Sequence, residues 1–386
     1  MKYRKLSELC EYTSDKILVS ILSRQNYIST ENMLQNRGGI CDAETLPSTF
    51  KVSSFVEDDI LISNIRPYFK KIWRAKFCGG CSNDILVMRA KQNCNPIFLY
   101  YILSGDSFFS YATHTSKGTK MPRGDKKAIM NYQVPDLSYQ AQKIIGEFLN
   151  VFDRKIELNN KLNDNLQQQA VTIFRSWFVN CVPFGGIAPD EWKNVTLEDI
   201  TAMVSRGITP KYADDTDQIV INQKCIRNHM IDLSLARNHR PKVINDKWLR
   251  FGDLLINSTG DGTLGRAAQV WFQPHNVTVD SHVTIVRPVT ENLIFYIGLW
   301  GIQHEKEIES LHTGSTGQTE LPRDRVKAME LVLPDSKTLT HFNSVMAPMA
   351  SAIVTNLEEN KCLANLRDAL IPKLMAGEID VAEVDI

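Results

Sequence analysis

Residues 141–177 read AQKIIGEFLNVFDRKIELNNKLNDNLQQQAVTIFRSW, and residues 342–374 read FNSVMAPMASAIVTNLEENKCLANLRDALIPKL. Both stretches carry nonpolar side chains in alternating steps of four and three residues, the heptad spacing by which two helices wind together. Ile145 corresponds to Phe342 and Trp177 to Leu374, an offset of 197 residues in both cases. The chain is therefore predicted to contain two copies of one unit, each ending in a long helix.

Asparagine interrupts both nonpolar rows at equivalent steps: Asn159, Asn163, Asn356 and Asn360. Buried amides are satisfied only when they meet, so these four residues are predicted to fix the register of an antiparallel coiled coil. Arg367 interrupts the second row, and Pro348 and Pro372 are expected to kink or end the second helix. The alternative interpretation is an ordinary amphipathic helix pair packed on a core.

The chain has 386 residues, of which 43% are hydrophobic, and it has 44 basic and 44 acidic residues. This length fits two domains, and the balanced charge argues against nonspecific coating of DNA but not against sequence-specific binding. No run approaches the roughly 18 nonpolar residues that span a membrane, and no signal peptide is recognised. Eight irregularly spaced cysteines indicate free thiols in a reducing cytoplasm.

Each half of the chain is predicted to contain the same order of elements before its long helix. Asp58–Ile65 and Gly252–Ser258 are interpreted as equivalent buried strands. A short helix is expected near Pro96–Ser104 and near Asn292–Gly301, and each is followed by a polar loop. The sequence thus predicts an α/β (α+β) protein with an internal two-fold repeat, in which two similar β-rich domains are joined by a pair of long antiparallel coiled-coil helices.

Four short motifs suggest catalytic or metal chemistry, but their contexts argue against it. Gly260–Gly265 matches G-x-G-x-x-G, yet a strand rather than a helix is expected to follow, which favours a hairpin turn. Asn95–Phe98 lacks the second proline of the adenine methyltransferase motif and is expected to begin a helix. Pro189–Lys193 is a nuclease-like motif without a gap between its halves, and Cys78–Cys81 is a lone C-x-x-C without further zinc ligands. We therefore expect no catalytic residues and no metal site.

The duplicated layout resembles that of the specificity (S) subunits of type I restriction-modification systems, and the resemblance covers essentially the whole chain. Four local phrases are similar to that family: Tyr27–Met33, Gly207–Pro210, Gly252–Asn257 and Arg367–Gly377. The order of the two halves is more specific than any of these phrases.

The resemblance implies five segments: target-recognition domain 1 (residues 1–137), spacer helix 1 (138–180), target-recognition domain 2 (181–335), spacer helix 2 (336–377) and a C-terminal tail (378–386). It implies a non-catalytic subunit that reads a bipartite target in double-stranded DNA, in defence against foreign DNA. Two methyltransferase (M) subunits and motor-nuclease (R) subunits are the implied partners. S-adenosylmethionine, ATP and Mg²⁺ are expected on those partners and no cofactor on this chain. A protein-interaction scaffold and the specificity subunit of a modification-only adenine methyltransferase are the alternatives.

DNA contact is predicted at the polar loop before each long helix, because cations, hydroxyls and close backbone approach suit phosphates and base edges. The candidates in the first loop are Ser116, Lys117, Thr119, Lys120 and Arg123. Those in the second loop are Ser315, Thr316, Gln318, Thr319 and Arg323. Further candidate cations lie outside the loops: Arg66, Lys70, Lys71, Arg206, Lys211, Arg237 and Arg240.

Overall fold

The computed structural model describes residues 2–213, 216–240, 245–260, 262–314 and 319–379, except the side chain of Ser234. The chain divides into two compact units. Unit 1 consists of Met1–Leu158 and Glu359–Ile386, and unit 2 consists of Asn159–Glu358. Each unit combines helices with β-sheets, which confirms the predicted α+β class.

The strands of unit 1 are short. They are β1 (Tyr3–Lys5), β2 (Cys10–Tyr12), β3 (Lys16–Leu18), β4 (Tyr27–Ile28), β5 (Lys51–Phe55), β6 (Ile60–Ser63), β7 (Ile72–Arg74), β8 (Gly79–Cys81), β9 (Ile85–Ala90) and β10 (Gln133–Pro135). One sheet has the order β2-β9-β6-β7, a second has the order β3-β5-β8-β4, and β1 pairs with β10. The helices are α1 (Pro96–Ser104), α2 (Asp106–His114), α3 (Lys126–Met130) and α4 (Tyr139–Phe174).

The central strand β6 is covered on both faces, and all four of its residues are buried. Ile60 and Ile62 belong to a core that also contains α1 side chains. Leu61 belongs to a second core, which it shares with Phe55 of the other sheet. Neighbouring strand residues point to opposite faces, so a strand covered on both sides needs an uninterrupted nonpolar run.

Helix α1 begins at the proline where the sequence predicts it. The Asn95 side chain accepts hydrogen bonds from the backbone N–H groups of Ile97 (3.0 Å) and Phe98 (3.1 Å), and Pro96 is the first helical residue. The backbone N–H of Asn95 donates in turn to the Gln142 side chain of α4 at 3.0 Å. The methyltransferase-like phrase is therefore a helix cap docked on the long helix.

Unit 2 has the same kind of main sheet. Its strands are β11 (Lys193–Thr196), β12 (Thr201–Arg206), β13 (Ile219–Ile221), β14 (Ile226–Arg227), β15 (Met230–Ile231), β16 (Arg237–Asn238), β17 (Leu254–Asn257), β18 (Ala267–Gln269), β19 (Val277–Val279), β20 (Val283–Pro288) and β21 (Glu330–Leu333). The main sheet has the order β12-β20-β17-β18, the equivalent of β2-β9-β6-β7 in unit 1. Strand β13 lies between β16 and β19, and β11–β21 and β14–β15 form two-stranded sheets.

The remaining helices are α5 (Ile294–Gln303), α6 (Glu305–Ser310), α7 (Arg323–Lys327) and α8 (Ser336–Ala376). The glycine-rich phrase of unit 2 joins β17 to β18, which pair antiparallel. Gly260 and Gly265 have φ values of 101° and 84°, a region that favours glycine. The phrase is therefore the predicted hairpin turn, and no helix begins there as a dinucleotide site requires.

An aspartate–arginine pair lies between the central strand and its neighbour in each unit. In unit 1, Arg89 of β9 donates to both carboxylate oxygens of Asp59 at 2.8 and 2.7 Å. In unit 2, Arg287 of β20 donates to both carboxylate oxygens of Asp253 at 2.8 and 2.7 Å. The unit 2 pair is the more deeply buried, because Arg287 is 6% exposed and Arg89 is 34% exposed.

Helices α4 and α8 contain 36 and 41 residues. Every position of the two predicted heptad rows is buried or half-buried. Within unit 2 the two helices run antiparallel, and Asn356 donates to the Asn163 side chain at 2.8 Å. Within unit 1, Lys155 of α4 pairs with Glu359 of α8 at 3.3 Å.

The irregularities of these helices differ from expectation. Of the two predicted effects, kinking or ending the second helix, the ending does not occur, because α8 continues through Pro348 and Pro372. Both prolines are exposed, so the carbonyl groups that they leave without a helical partner can bond to water. The change of helix type occurs in the first helix instead, where a π-helical turn follows α4 at Arg175–Val179.

Arg367 occupies a position of the second heptad row, and acidic side chains compensate its charge. It pairs with Asp153 of α4 and, at 2.8 Å, with Asp368. The Tyr101 hydroxyl also donates to Asp153, at 2.6 Å. A polar layer thus replaces a nonpolar one within unit 1.

Candidate nucleic-acid interface

In unit 1 the predicted DNA-contacting loop is a hairpin fixed to the end of the central strand. The backbones of Lys117 and Arg123 exchange two hydrogen bonds of 2.9 Å. Arg123 also bridges to Ile65, and the N–H of Arg66 donates to the Pro122 carbonyl at 2.8 Å. The loop therefore projects from a rigid base, as a surface that must recognise a fixed shape requires.

The second loop has the same base in unit 2. Thr313 and Glu320 exchange backbone hydrogen bonds of 2.8 and 2.9 Å, and Glu320 bridges to Thr259. The N–H of Leu321 donates to the Ser258 carbonyl at 2.8 Å. The predicted contacts Ser315, Thr316 and Gln318 lie outside the described residues, and Thr319 is half-buried next to the base.

Most charged candidates of the first loop already have partners. Lys117 pairs with Asp125 at 2.6 Å, and Arg123 pairs with Asp84 at 2.9 Å. Hydrogen bonding from Lys117 and from the backbone of α3 lowers the pKa of Asp125 to about 2, so this acid is charged at neutral pH. These ion pairs hold the base of the hairpin and reduce its net positive charge.

The other candidates of the first loop divide between its base and its tip. The Ser116 hydroxyl donates to the Thr113 carbonyl at 2.6 Å, which is a contact within the base. Thr119 and Lys120 are exposed at the tip. These two side chains are the loop groups that are placed best to meet DNA.

Arg66, Lys70 and Lys71 lie around the turn that follows β6. The guanidinium of Arg66 lies 5.9 Å from the centre of the Phe69 ring. Lys70 pairs with Asp106 at 2.7 Å, and Lys71 donates to the Thr30 carbonyl at 2.6 Å. Burial lowers the pKa of Lys71. Of the three, Arg66 is the one that the backbone joins directly to the loop.

Arg206 holds the second loop by its base. Its guanidinium pairs with Glu320 at 2.5 Å and donates to the Leu321 carbonyl at 2.9 Å. An arginine that is used in this way positions the loop, and its contribution to DNA binding is indirect. Arg323 is exposed at the start of α7 beside the same base.

Three further cations form a separate exposed patch of unit 2. The guanidinium of Arg237 stacks over the Tyr212 ring at 3.5 Å from its centre. The N–H of Arg240 donates to the Lys211 carbonyl at 2.8 Å, and both side chains are exposed. The structure thus brings together Lys211, Arg237 and Arg240, which the sequence separates by up to 29 residues.

Sequence reasoning missed a polar cluster at the end of β17. The Thr259 hydroxyl bonds to His282 at 2.7 Å and to the Gln223 side chain at 3.2 Å. Thr259 directly follows the predicted strand, so its place could have been inferred. Gln223 reaches it from the short helical turn after β13 and His282 from the turn before β20, and nothing in their local sequence marks them.

In the part of the chain that the structure describes, no group of three His, Cys, Asp or Glu side chains is arranged to hold a metal ion. All eight cysteines are free, with Cys78 exposed and Cys81 buried. None of the described helices is both long and nonpolar enough to cross a membrane.

Comparisons with known proteins agree on one family. Residues 1–168 match the family model described as "Type I restriction modification DNA specificity domain". The chain is 24% identical to the type I restriction enzyme MjaIX specificity subunit of Methanocaldococcus jannaschii, with 74% of this chain and 70% of that protein covered. It is 23% identical to the HindI specificity subunit of Haemophilus influenzae, over 92% and 94% of the two chains. Residues 1–168 therefore carry the DNA specificity domain of type I restriction-modification systems. The matches confirm the family that the sequence predicted and the role of a DNA-recognition subunit rather than an enzyme.

A solved structure supports the fold of this chain. The S subunit of the type I restriction-modification system from M. genitalium aligns with a TM-score of 0.56 at 12% identity, over 97% of this chain and 96% of that one. The shared architecture therefore extends beyond the region that the family model matches.

Proposed function

We propose that this chain reads a bipartite DNA target, with one half-site bound by each β-rich domain and the two helices acting as a spacer. The observation that carries the proposal is the pair of loop bases: in each unit, the base of a hydroxyl-rich loop is joined by backbone pairing to the end of the central strand. Two readers built alike in one chain suit a target with two separated halves.

The dimensions of the helices support the spacer role. Helices of 36 and 41 residues extend for about 54 and about 62 Å at ~1.5 Å per residue. Half-sites one turn of B-DNA apart are separated by about 34–36 Å. The asparagine pair of unit 2 sets the register of the two helices, as the predicted coiled coil requires.

The proposal includes the five predicted segments. Residues 1–137 and 181–335 are the recognition domains, residues 138–180 and 336–377 are the spacer helices, and residues 378–386 are the tail. It also includes the partners: two methyltransferase subunits docked on the helices, with motor-nuclease subunits joining for cleavage. The partner subunits then bind S-adenosylmethionine, ATP and Mg²⁺, and this chain binds none of them. The complex acts in the cytoplasm, where DNA is accessible and the eight cysteines stay reduced.

The test is a methylation map. The chain is reconstituted with its cognate methyltransferase subunit, and methylated adenines are located across random DNA. The expected result is methylation within a split motif that has a constant gap. A continuous motif, or a stable complex that methylates nothing, would favour the scaffold alternative instead.

A matched variant tests the spacer separately. One heptad is inserted into each helix at the level of Asn163 and Asn356, which keeps the phase of the nonpolar row. The insertion lengthens both helices by ~10.5 Å, or about three base pairs at ~3.4 Å each. The gap should widen while both half-sites stay unchanged. An unchanged gap in an active complex would mean that the helices do not measure the spacer.

A further inference from the structure

A cleft of about 350 Å³ lies beside the first loop in unit 1. Its floor includes nonpolar residues 85–87 of β9, and its polar lining includes Tyr12, Thr13, Lys16, Asn83 and Lys126. These polar residues come from the end of β2 and the start of β3, from the turn before β9 and from the first position of α3. The cleft thus collects polar side chains from three distant parts of the chain at the flank of the hairpin.

The described contacts of the two lysines of the cleft are with neutral groups. Lys16 donates to the Ser53 hydroxyl at 3.0 Å and to the Asn83 side-chain oxygen at 3.4 Å, which are both neutral acceptors. Lys126 lies 5.8 Å from the centre of the Tyr12 ring, which attracts a cation without neutralising it. Neither lysine has an ion pair with an acid in the described parts of unit 1.

The hairpin beside the cleft offers less free charge, because Lys117 and Arg123 are paired with Asp125 and Asp84. An anion in the cleft would therefore meet two cations that no acid among the described residues neutralises.

We infer that this cleft binds a backbone phosphate of the DNA that unit 1 reads. The inference rests on the proposed function and adds a contact to it. Lys16 and Lys126 supply the charge, and the amide N–H₂ group of Asn83 is left to donate because its oxygen accepts from Lys16. A phosphate contact reads no base, so its role is to set the position of the loop along the duplex.

The salt dependence of DNA binding tests this assignment. The variant Lys16→Gln/Lys126→Gln is assembled with the methyltransferase partner, and its affinity for target DNA is measured over a range of KCl concentrations. Loss of this one phosphate contact should make the slope of log K against log[salt] shallower by about 0.9. Affinity should fall by the same factor on target and non-target DNA.

Two control variants distinguish the effect of losing the cleft lysines from the effect of losing any two positive charges. The variant Lys2→Gln/Lys5→Gln removes the same charge from exposed positions of unit 1 outside the long helices and should keep the wild-type slope. The variant Lys16→Arg/Lys126→Arg keeps the charge and should also keep the slope. A wild-type slope in Lys16→Gln/Lys126→Gln, with target binding intact, would overturn the cleft assignment alone. Absence of any DNA binding by the wild-type complex would overturn the proposed function as well.

Competition with inorganic phosphate tests whether the cleft binds a phosphate of DNA or a free phosphate ion. At constant ionic strength, millimolar phosphate should displace DNA from the wild type no more than chloride does. Displacement from the wild type but not from Lys16→Gln/Lys126→Gln would identify the cleft as a site for free phosphate and overturn the inference.

Discussion

The buried arginine of unit 2 offers the sharpest test of what holds this fold together. Arg287 is 6% exposed and Asp253 is 1% exposed. Besides its two bonds to Asp253, Arg287 donates to the carbonyls of Asp246 at 2.8 Å and Trp248 at 2.7 Å. Replacement by methionine keeps much of the volume but leaves the Asp253 carboxylate with the N–H of Arg250, at 2.8 Å, as its remaining donor.

Removing one member of a buried pair leaves an uncompensated charge, which costs about 3–5 kcal/mol. Arg287→Met should therefore lower the free energy of unfolding of unit 2 by that amount. At ~1.4 kcal/mol per tenfold change, the equilibrium constant for unfolding should rise by two orders of magnitude or more. Hydrogen exchange of β17 and β20, followed by mass spectrometry, measures the loss in unit 2 by itself.

The equivalent pair in unit 1 is the matched control. Arg89→Met removes two bonds to Asp59 and a 3.3 Å bond to Asp15, from a residue that is 34% exposed. Asp59 itself is 1% exposed. Water can reach the place that the Arg89 guanidinium vacates and partly replace the lost donors, so the expected cost is about 2 kcal/mol. The double variant Asp253→Leu/Arg287→Met should recover most of the stability of unit 2, because no unpaired charge stays buried. A loss below about 1 kcal/mol for Arg287→Met, or a loss no larger than that of Arg89→Met, would refute the reasoning.

Two further predictions concern the helices and the pH dependence. Asn163→Leu or Asn356→Leu alone should cost about 1–3 kcal/mol in denaturant unfolding, because each leaves a buried amide without its partner. The double leucine variant should regain stability but broaden the gap in the methylation map; losses that simply add would contradict the pairing. Hydrogen bonding to Glu305 raises the pKa of His229 above its ordinary value of 6.5, so the pair stabilises the fold fully below that pH and the effect is lost as the pH rises through the raised pKa. The difference in Tm between wild type and His229→Gln should shrink between about pH 5.5 and about pH 8, and a difference that grows with pH would contradict this sign.

The sequence predicted the elements whose signal is local or periodic. The heptad rows, the buried central strands and the Pro96 helix start follow from spacing and residue type, because short-range sterics and burial periodicity determine them. The second helix does not end at Pro348 or Pro372, and both residues are exposed, so water can bond to the carbonyl groups that they leave free. That outcome depends on which face of the helix is exposed, and the face depends on packing.

By itself, the sequence determined the duplicated order, the two long helices and the polar loops that precede them. Only the tertiary structure decided which cations are free. Lys117 and Arg123 looked like DNA contacts in the sequence, yet Asp125 and Asp84 pair with them. Lys16 lies about a hundred residues from that loop in the chain but lines the cleft beside it. The physical reason is that local patterns set secondary structure, whereas the partner of a charge is set by whichever side chain folding brings within a few ångströms.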